Sequence, residues 1–475
     1  MYNTMSDTLE WAGSGFGWII AAFGDLLSGL SGSTTTVIIV LLLTLVLLGV
    51  HVAISLGITS LVGIYLATGK MRIVEATVAS TSAEALRDFT FAVIPLFLLM
   101  GEFIGRSGAI TDIYVAINRG LKRIPARLGI ATVLGNTVFS FVTGVSIASA
   151  AAFARIGYPE MKAHGYHKGF ALGAIAGSSV LGMLIPPSVL MIVWGILTEQ
   201  SIGRLFLAGV LPGVILATLF IAYILITALL RPHTVGNEAV EVELEEGAFD
   251  PKKIEIKPGS MAVSILGVLL IIASVLGGIW LGIFTPTEGA GAGAALALVL
   301  AFIKGMTPRG FIQAIYQVGK TAAPILILLL CAALYSRTLA ITGVTTSIRE
   351  FFVDSGFTAW TVFAIIILIW FILGMLIDSI SIMLLTVPIV EPVAVAFGFD
   401  QLAFAIVGIL AIEAGLLTPP FGLLVYTVKA AIRDDDVSVA QIFVSCVPYW
   451  IIILLTGVTL MLVPSIVNFL PNLMM

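Results

Sequence analysis

The chain consists mainly of long apolar runs separated by short polar stretches. Many runs approach the roughly 20 residues that a helix needs to cross a bilayer. Regular β-barrel alternation is lacking, and a helix satisfies its own backbone hydrogen bonds in lipid. The pattern therefore predicts an all-α polytopic membrane protein. The predicted membrane segments are 36–50, 52–68, 89–107, 128–157, 168–198, 205–230, 260–283, 288–304, 318–341, 358–399, 401–430 and 440–468.

Two stretches depart from this pattern. In the N-terminal extension, residues 1–35, the apolar positions of 11–30 have helical spacing, with polar residues on the other faces. This predicts an amphipathic helix that lies in the interface or docks a partner subunit, and a tilted span is the alternative. Residues 232–259 are the most charged stretch, and we interpret them as a cytoplasmic linker between two halves, 36–231 and 260–475.

Composition agrees with a membrane protein and excludes other classes. The chain is 59% hydrophobic and only 11% charged, whereas a soluble domain keeps about a quarter of its residues charged. It has no basic face for nucleic acid and no phosphate-binding P-loop. The four histidines lack the companions of a metal centre. We find no convergent acid, base and nucleophile set, so an enzyme is not expected.

Charge placement predicts two re-entrant hairpins of opposite orientation. Basic residues lie on both sides of segment 128–157, which places both of its ends in the cytoplasm. They are Arg119, Lys122, Arg123 and Arg127 before it, Arg155 at its end, and Lys162 and Lys168 after it. Segment 358–399 is bordered mainly by Asp354, Glu391 and Asp400, and it is expected to open to the periplasm. The halves are therefore predicted to be inverted.

An internal repeat supports this organisation. One register shift aligns Ser146-Ile147 with Ser379-Ile380, and Pro186-Pro187 with Pro419-Pro420. Apolar helices match by chance at many positions, but coincidences of Gly, Pro and Ser in one frame are informative. Inverted repeats are typical of secondary transporters.

The paired prolines predict two discontinuous helices, at 182–188 and 415–422. Proline removes a helix donor, and freed carbonyls survive at membrane depth only beside protein or a water-filled cavity. Transporters hold coupling cations and anionic solutes at such breaks. The alternative is a kink with a packing role only.

Each hairpin has a small, polar tip, at 143–149 and 374–381. Hydroxyl and carbonyl oxygens at such tips are hard ligands that suit an alkali cation. The alternative is that Ser and Gly there simply allow close helix packing. Asp378 is the carboxylate that we place in the second site, and Glu413 is its competitor.

From about residue 36 onward, several motifs together resemble the large membrane subunit of TRAP (tripartite ATP-independent periplasmic) transporters. They include Pro95-Leu96-Phe97-Leu98-Leu99-Met100-Gly101, Gly144-x-Ser146-x-Ala148-Ser149, Ser178-Ser179-x-x-Gly182-x-x-Ile185-Pro186-Pro187-Ser188, Thr285-Pro286-Thr287-Glu288 and Glu413-x-Gly415-x-x-Thr418-Pro419-Pro420-x-Gly422. The chain departs from the pattern at Ala411, where many members have Asn, and in its N-terminal extension.

The resemblance implies an elevator-type, sodium-driven importer of the ion-transporter superfamily in the bacterial inner membrane. Its partners would be a small four-helix membrane subunit and a periplasmic solute-binding protein. Its solute would be a C4-dicarboxylate, a sialic acid or a similar carboxylate. A stand-alone sodium- or proton-coupled organic anion carrier of the same superfamily is the alternative.

Sodium is thus the expected coupling ion, held between each tip and its helix break. The predicted sodium ligands are Gly144, Ser146, Ser149, Gly182, Asp378, Ser379, Ser381, Gly415 and Thr418. The predicted substrate contacts are Ser146, Ser149, Ser188 and Ser379.

Overall fold

The structure is a computed structural model that describes residues 34–236, 258–432 and 434–474. Its regular secondary structure is helical, and one isolated antiparallel bridge joins Tyr166 and Val235. Up to the linker the α-helices are α1 Thr34–Leu47, α2 Val52–Thr68, α3 Met71–Arg87, α4 Val93–Ser107, α5 Ala109–Gly120, α6 Arg127–Thr143, α7 Ser146–Ala163, α8 Lys168–Ser179, α9 Leu181–Leu184, α10 Val189–Thr198 and α11 Ile202–Leu230.

The helices after the linker are α12 Pro258–Trp280, α13 Pro286–Ile303, α14 Pro308–Thr342, α15 Val344–Asp354, α16 Ala359–Gly374, α17 Ser379–Ala396, α18 Gln401–Gly415, α19 Leu423–Ala431, α20 Val439–Leu462 and α21 Ser465–Met474. Short 3-10 turns cover Phe89–Ala92 and Pro232–Thr234.

Eight stretches of the described residues are long and apolar enough to cross a bilayer. The predicted all-α polytopic membrane fold is thereby confirmed. The predicted amphipathic helix of residues 11–30 lies outside the described residues, and so does most of the predicted linker. What the structure describes of the linker is a 3-10 turn and bridge up to Gly236, and the start of α12.

Local sequence explains several helix ends. Thr285 accepts the N–H of Glu288, whose carboxylate accepts the N–H of Thr285 in return. Ser438 and Gln441 form the same reciprocal pair at the start of α20. Such capping boxes satisfy donors that the first helical turn leaves free. These ends follow from residues three apart and need no tertiary partner.

The described chain divides into two compact units. The first contains residues up to 91 together with 323–362 and 384–398. In it α1 packs on α2 and α2 packs on α3. Gly63 of α2 is so close to Thr338 and Ile38 that an added Cβ would lie 2.8 and 3.0 Å from their side-chain carbons. The absent side chain therefore permits this close helix packing.

The second unit contains 92–322, 363–383 and 399–475. Within it α4 packs on α13, α20 packs on α8 and α18, and α19 packs on α7. Both Pro-Pro breaks and both hairpin tips belong to this unit. All the predicted site residues can therefore be compared within one packed body.

Candidate functional site

The first Pro-Pro motif interrupts the helix, as its chemistry predicts. Helix α9 ends at Leu184, and α10 begins at Val189. Ser188 caps α10, because its Oγ accepts the N–H of Met191 at 3.4 Å and donates to the carbonyl of Met183. Every residue of the break is buried. The Ser188 hydroxyl, a predicted substrate contact, thus has its proton engaged in holding the break.

The first hairpin tip lies directly on this break. Gly144 joins α6 to α7 in a left-handed conformation with φ 61°, which favours glycine. Its carbonyl accepts the N–H of Val189 at 3.2 Å. A Cβ added at Gly182 would lie 2.9 Å from the Cα and N of Ser146. The structure therefore brings the predicted residues Gly144, Ser146 and Gly182 together.

The second motif also interrupts its helix, since α18 ends at Gly415 and α19 begins at Leu423. The N–H of Phe421 donates to the carbonyl of Met375 at 3.1 Å, which joins this break to the second tip. A Cβ added at Gly415 would lie 2.6 Å from the Cα of Gly374. Thr418 Oγ1 donates to the Gly415 carbonyl at 2.7 Å, so these two predicted ligands bind each other.

Glu413 joins the two tips. Ser146 Oγ donates to Glu413 Oε2 at 2.6 Å, and Ser379 Oγ donates to Oε1 at 2.7 Å. All three side chains are buried. We call Ser146, Glu413 and Ser379 the tip junction. From the sequence, Asp378 was the preferred carboxylate of the second site and Glu413 its competitor. The signal for Glu413 was its position in an apolar run, two residues before a helix break.

Two further predicted ligands differ in what they contact. Asp378 is half-buried and caps α17, because its Oδ1 accepts the N–H of Ser381 at 3.0 Å. Ser149 follows Ser146 by one turn of α7 and is fully buried. Its hydroxyl has no hydrogen-bond partner among the described residues. A buried, unpaired hydroxyl is costly unless a ligand or water satisfies it.

A polar pair behind the first tip was missed by sequence reasoning. Asn136 Nδ2 in α6 donates to Ser178 Oγ in α8 at 2.7 Å, and both residues are fully buried. Asn136 Oδ1 has no partner within the described part of the chain. An amide in an apolar helix was the available signal. Its unpaired oxygen is, after the Ser149 hydroxyl, a second possible oxygen ligand for a hard cation in the compact unit that contains the first tip.

Asp434 forms a charged contact outside the membrane-spanning helices, between α19 and α20. Its Oδ2 accepts the Tyr158 hydroxyl at 2.7 Å and lies 3.0 Å from Lys162 Nζ, while Lys168 Nζ lies 3.4 Å from Oδ1. Burial alone would raise the pKa of Asp434. The hydrogen bonds and the positive charges outweigh this effect and lower the pKa to about 2. The carboxylate is thus held ionised between α7, α8 and the end of the second broken helix.

Comparison with known proteins agrees with this architecture. The family model described as "Tripartite ATP-independent periplasmic transporter, DctM component" matches residues 39–466. The chain is 29% identical over 448 residues to a C4-dicarboxylate TRAP transporter large permease from Rhodobacter capsulatus, covering 91% of this chain and 97% of the relative. It is 27% identical over 344 residues to a sialic acid TRAP transporter large permease from Vibrio cholerae, covering 72% and 77%.

Among solved structures, the chain is similar to MtrF of Neisseria gonorrhoeae, which was described within a class of antimetabolite efflux pumps. The TM-score is 0.58 at 14% sequence identity, and the match covers 94% of this chain and 97% of the other. At this identity the likeness concerns the fold alone. The shared helical fold covers almost the whole chain.

Proposed function

The chain belongs to the DctM-component family of tripartite ATP-independent periplasmic transporters, and from this premise we propose a specific role. It is the large membrane subunit of a sodium-coupled, binding-protein-dependent importer of small organic acids. Its partners are a small four-helix membrane subunit and a periplasmic solute-binding protein. It acts in the bacterial inner membrane.

The tip junction is the observation that carries this proposal. Glu413 accepts hydrogen bonds from serines of both hairpin tips, and all three side chains are buried. Ionisable groups at membrane depth usually serve an ion, a solute pathway or a partner charge. The two tips approach each other through this one carboxylate. A cation bound at either tip would therefore change the contacts available to the other.

The donors around the first tip fit an alkali cation. Ser149 supplies a buried hydroxyl without a partner in the described chain, and hydroxyl and carbonyl oxygens are the ligands that hard cations prefer. Ser146, Ser149, Gly144 and Gly182 would hold one sodium ion. Asp378, Ser379, Ser381, Gly415 and Thr418 would hold the second. Bound sodium would supply positive charge next to the solute.

An organic acid fits the same region. The N-terminal ends of α10 and α17 carry partial positive charge, which stabilises a carboxylate. Ser188 and Ser379 lie at these ends and were predicted to contact substrate. The relatives from Rhodobacter capsulatus and Vibrio cholerae are described as transporters of C4-dicarboxylate and sialic acid, both of which carry carboxylate groups. Cation and anion would stabilise one another and so couple their movement.

Sodium-22 binding to the purified protein tests the proposal without knowledge of the solute. Asp378→Asn removes a charge but keeps a good helix cap, and it should lower sodium affinity at least tenfold, roughly 1.4 kcal/mol. Asp400→Asn is the matched control, because Asp400 caps α18 in the same way, by accepting the N–H of Ala403 at 2.8 Å. Its sodium affinity should be unchanged.

Uptake of labelled succinate and N-acetylneuraminate into proteoliposomes, with the partner proteins added, separates the alternatives. Unchanged sodium affinity in Asp378→Asn, with a loss in Glu413→Gln, would transfer the charge role to Glu413. Uptake driven equally by a proton gradient without sodium would reject sodium coupling. Full-rate uptake without a binding protein would instead support a stand-alone carrier.

A further inference from the structure

A cavity of about 290 Å³ lies away from the tip junction, where α8, α11 and α20 meet beside the 3-10 turn Pro232–Thr234. Its walls include the N-terminal end of α8, the C-terminal end of α11 and the first half of α20. Six lining residues matter for what it could bind. They are His167, Gly169, Tyr223, Arg231, His233 and Tyr449.

The wall of the cavity is basic. Arg231 and His233 are exposed, and no carboxylate within the described ranges pairs with either side chain. His167 Nδ1 accepts the N–H of Gly169 at 3.2 Å, so the proton of the neutral ring is on Nε2, which can donate. No acidic residue of the described chain lines the cavity. These donors and charges suit an anion.

Tyr449 adds a hydrogen-bond donor at the floor. It is buried, and its hydroxyl has no partner among the residues described. Its Cβ lies against Gly177, and its Cε2 lies 3.2 Å from the position of a Cβ on Gly173. The ring therefore runs along α8 towards the N-terminus of that helix, where Gly169 and Phe170 line the cavity. The hydroxyl is therefore at the end of the ring that is nearer to the cavity.

The surroundings of the cavity suit a lipid. Helices α11 and α20 are both long and apolar enough to span the bilayer, and the cavity lies at one end of each. Exposed apolar side chains continue from it, with Val444 71% and Leu230 78% exposed. Basic residues close to this end, Lys162 and Lys168, agree with the predicted cytoplasmic face. Basic pockets between membrane helices on that face bind anionic lipid headgroups.

We propose that this cavity binds the phosphate of an anionic phospholipid headgroup. Arg231 would donate to the phosphate as a fork, His167 and His233 would donate from the rim, and Tyr449 would donate from the floor. The acyl chains would lie along the exposed apolar side chains of Leu230 and Val444. The same phosphate chemistry occurs in soluble phosphate esters, so the test distinguishes these two sources.

The test is native mass spectrometry of the purified full chain with phosphatidylglycerol or phosphatidylcholine at equal concentration. We expect preferential retention of phosphatidylglycerol, and about a tenfold loss of its affinity in Arg231→Gln, since one charge-assisted, bidentate contact is removed. Arg204→Gln is the matched control, because Arg204 lies at the opposite end of the same helix α11. Elution volume and thermal unfolding check that each variant is folded.

Three outcomes decide the matter. Loss of phosphatidylglycerol in Arg231→Gln, with retention in Arg204→Gln, supports a lipid site. Binding of glycerol 3-phosphate that needs Arg231, without preference for phosphatidylglycerol, overturns the lipid source in favour of a soluble ester. Equal phosphatidylglycerol binding by the parent chain and Arg231→Gln overturns the site itself. None of these outcomes depends on sodium or on solute uptake.

Discussion

The two Pro-Pro breaks share a motif but differ in access. The first, Ile185–Ser188, is buried at every position, and Gly144 of its hairpin tip rests on it. In the second, between Gly415 and Leu423, both prolines and the following Phe421 are exposed, Phe421 by 62%. The prolines cause both interruptions, but the neighbouring side chains decide whether an interruption is sealed. The same local chemistry thus yields one buried and one exposed interruption.

The two breaks differ in exposure, but both contact their hairpin tips tightly. At each break the glycine four residues before the first proline meets the backbone of a hairpin tip, Gly182 against Ser146 and Gly415 against Gly374. Each tip is also joined to its break by one main-chain hydrogen bond. The difference in exposure therefore arises at the prolines and the residue that follows them, and not where the tip contacts the helix.

The largest effect is expected from adding a methyl group at the close contact between a break and its hairpin tip. Gly415→Ala and Gly182→Ala should each destabilise the protein by about 1–3 kcal/mol, because the added methyl would meet backbone atoms that cannot move independently. Thermal unfolding in detergent measures this. Gly291→Ala is the control, since Gly291 lies within α13 and an added Cβ there would meet nothing within 4 Å. Equal stability of Gly415→Ala and the parent would show that the second tip is not locked.

A smaller effect is expected at the tip junction. Ser146→Ala and Ser379→Ala should each cost about 1–2 kcal/mol, because each removes one donor from the buried Glu413 carboxylate. The double variant should depart from additivity by about 0.5 kcal/mol or more, since both serines share one partner. Ser140→Ala is the control, because that hydroxyl bonds only to the Asn136 carbonyl of its own helix. Strict additivity would contradict a shared junction.

The third prediction concerns Asp434, which follows α19, the second part of the second broken helix. Asp434→Asn should lower stability at neutral pH by about 1 kcal/mol. Because the pKa of Asp434 is lowered on folding to about 2, its contribution is complete above the pKa of an unfolded aspartate, near 4, and is lost as pH falls through about 2. Unfolding curves of both proteins at pH 7, 5, 3 and 2 should therefore converge only at the acid end. A difference that persists undiminished at pH 2 would contradict this role of the charge.

The smallest effect on stability, and the most direct test of access, comes from cysteine labelling. In a background without Cys331 and Cys446, Phe421→Cys should react with a water-soluble maleimide, whereas Ser188→Cys should not. Phe421 is exposed and Ser188 is fully buried. An exposed substitution of this kind should change stability by only about 0.5 kcal/mol. Protection at both positions would show that the second break is covered by lipid or by a partner.

Much of this organisation is visible in the sequence, because it depends on local chemistry. Long apolar runs specify helices in lipid, and the adjacent prolines at 186–187 and 419–420 lie at interruptions, since each pair removes two helix donors. Gly182 beside the first break and Ser146 of the first hairpin tip, which were predicted to form one site, also proved to be neighbours. Membership in the transporter family was likewise predictable from combined motifs. The inverted orientation of the halves stays a prediction.

What the sequence could not decide depends on residues that are distant in the chain. Local sequence marks Glu413 as a carboxylate beside a helix break, but it does not show that Glu413 accepts from both tip serines while Asp378 caps its own helix. The unpaired hydroxyls of Ser149 and Tyr449 are unpaired only because of what packs around them. The two interruptions follow from the covalent structure of adjacent prolines, whereas single prolines such as Pro159 and Pro212 lie inside continuous helices. Hydrogen-bond partners, burial and access depend on residues that are distant in the chain. The sequence by itself therefore determined where paired prolines interrupt the helices, and tertiary structure alone decided which buried oxygens lack a partner among the described residues.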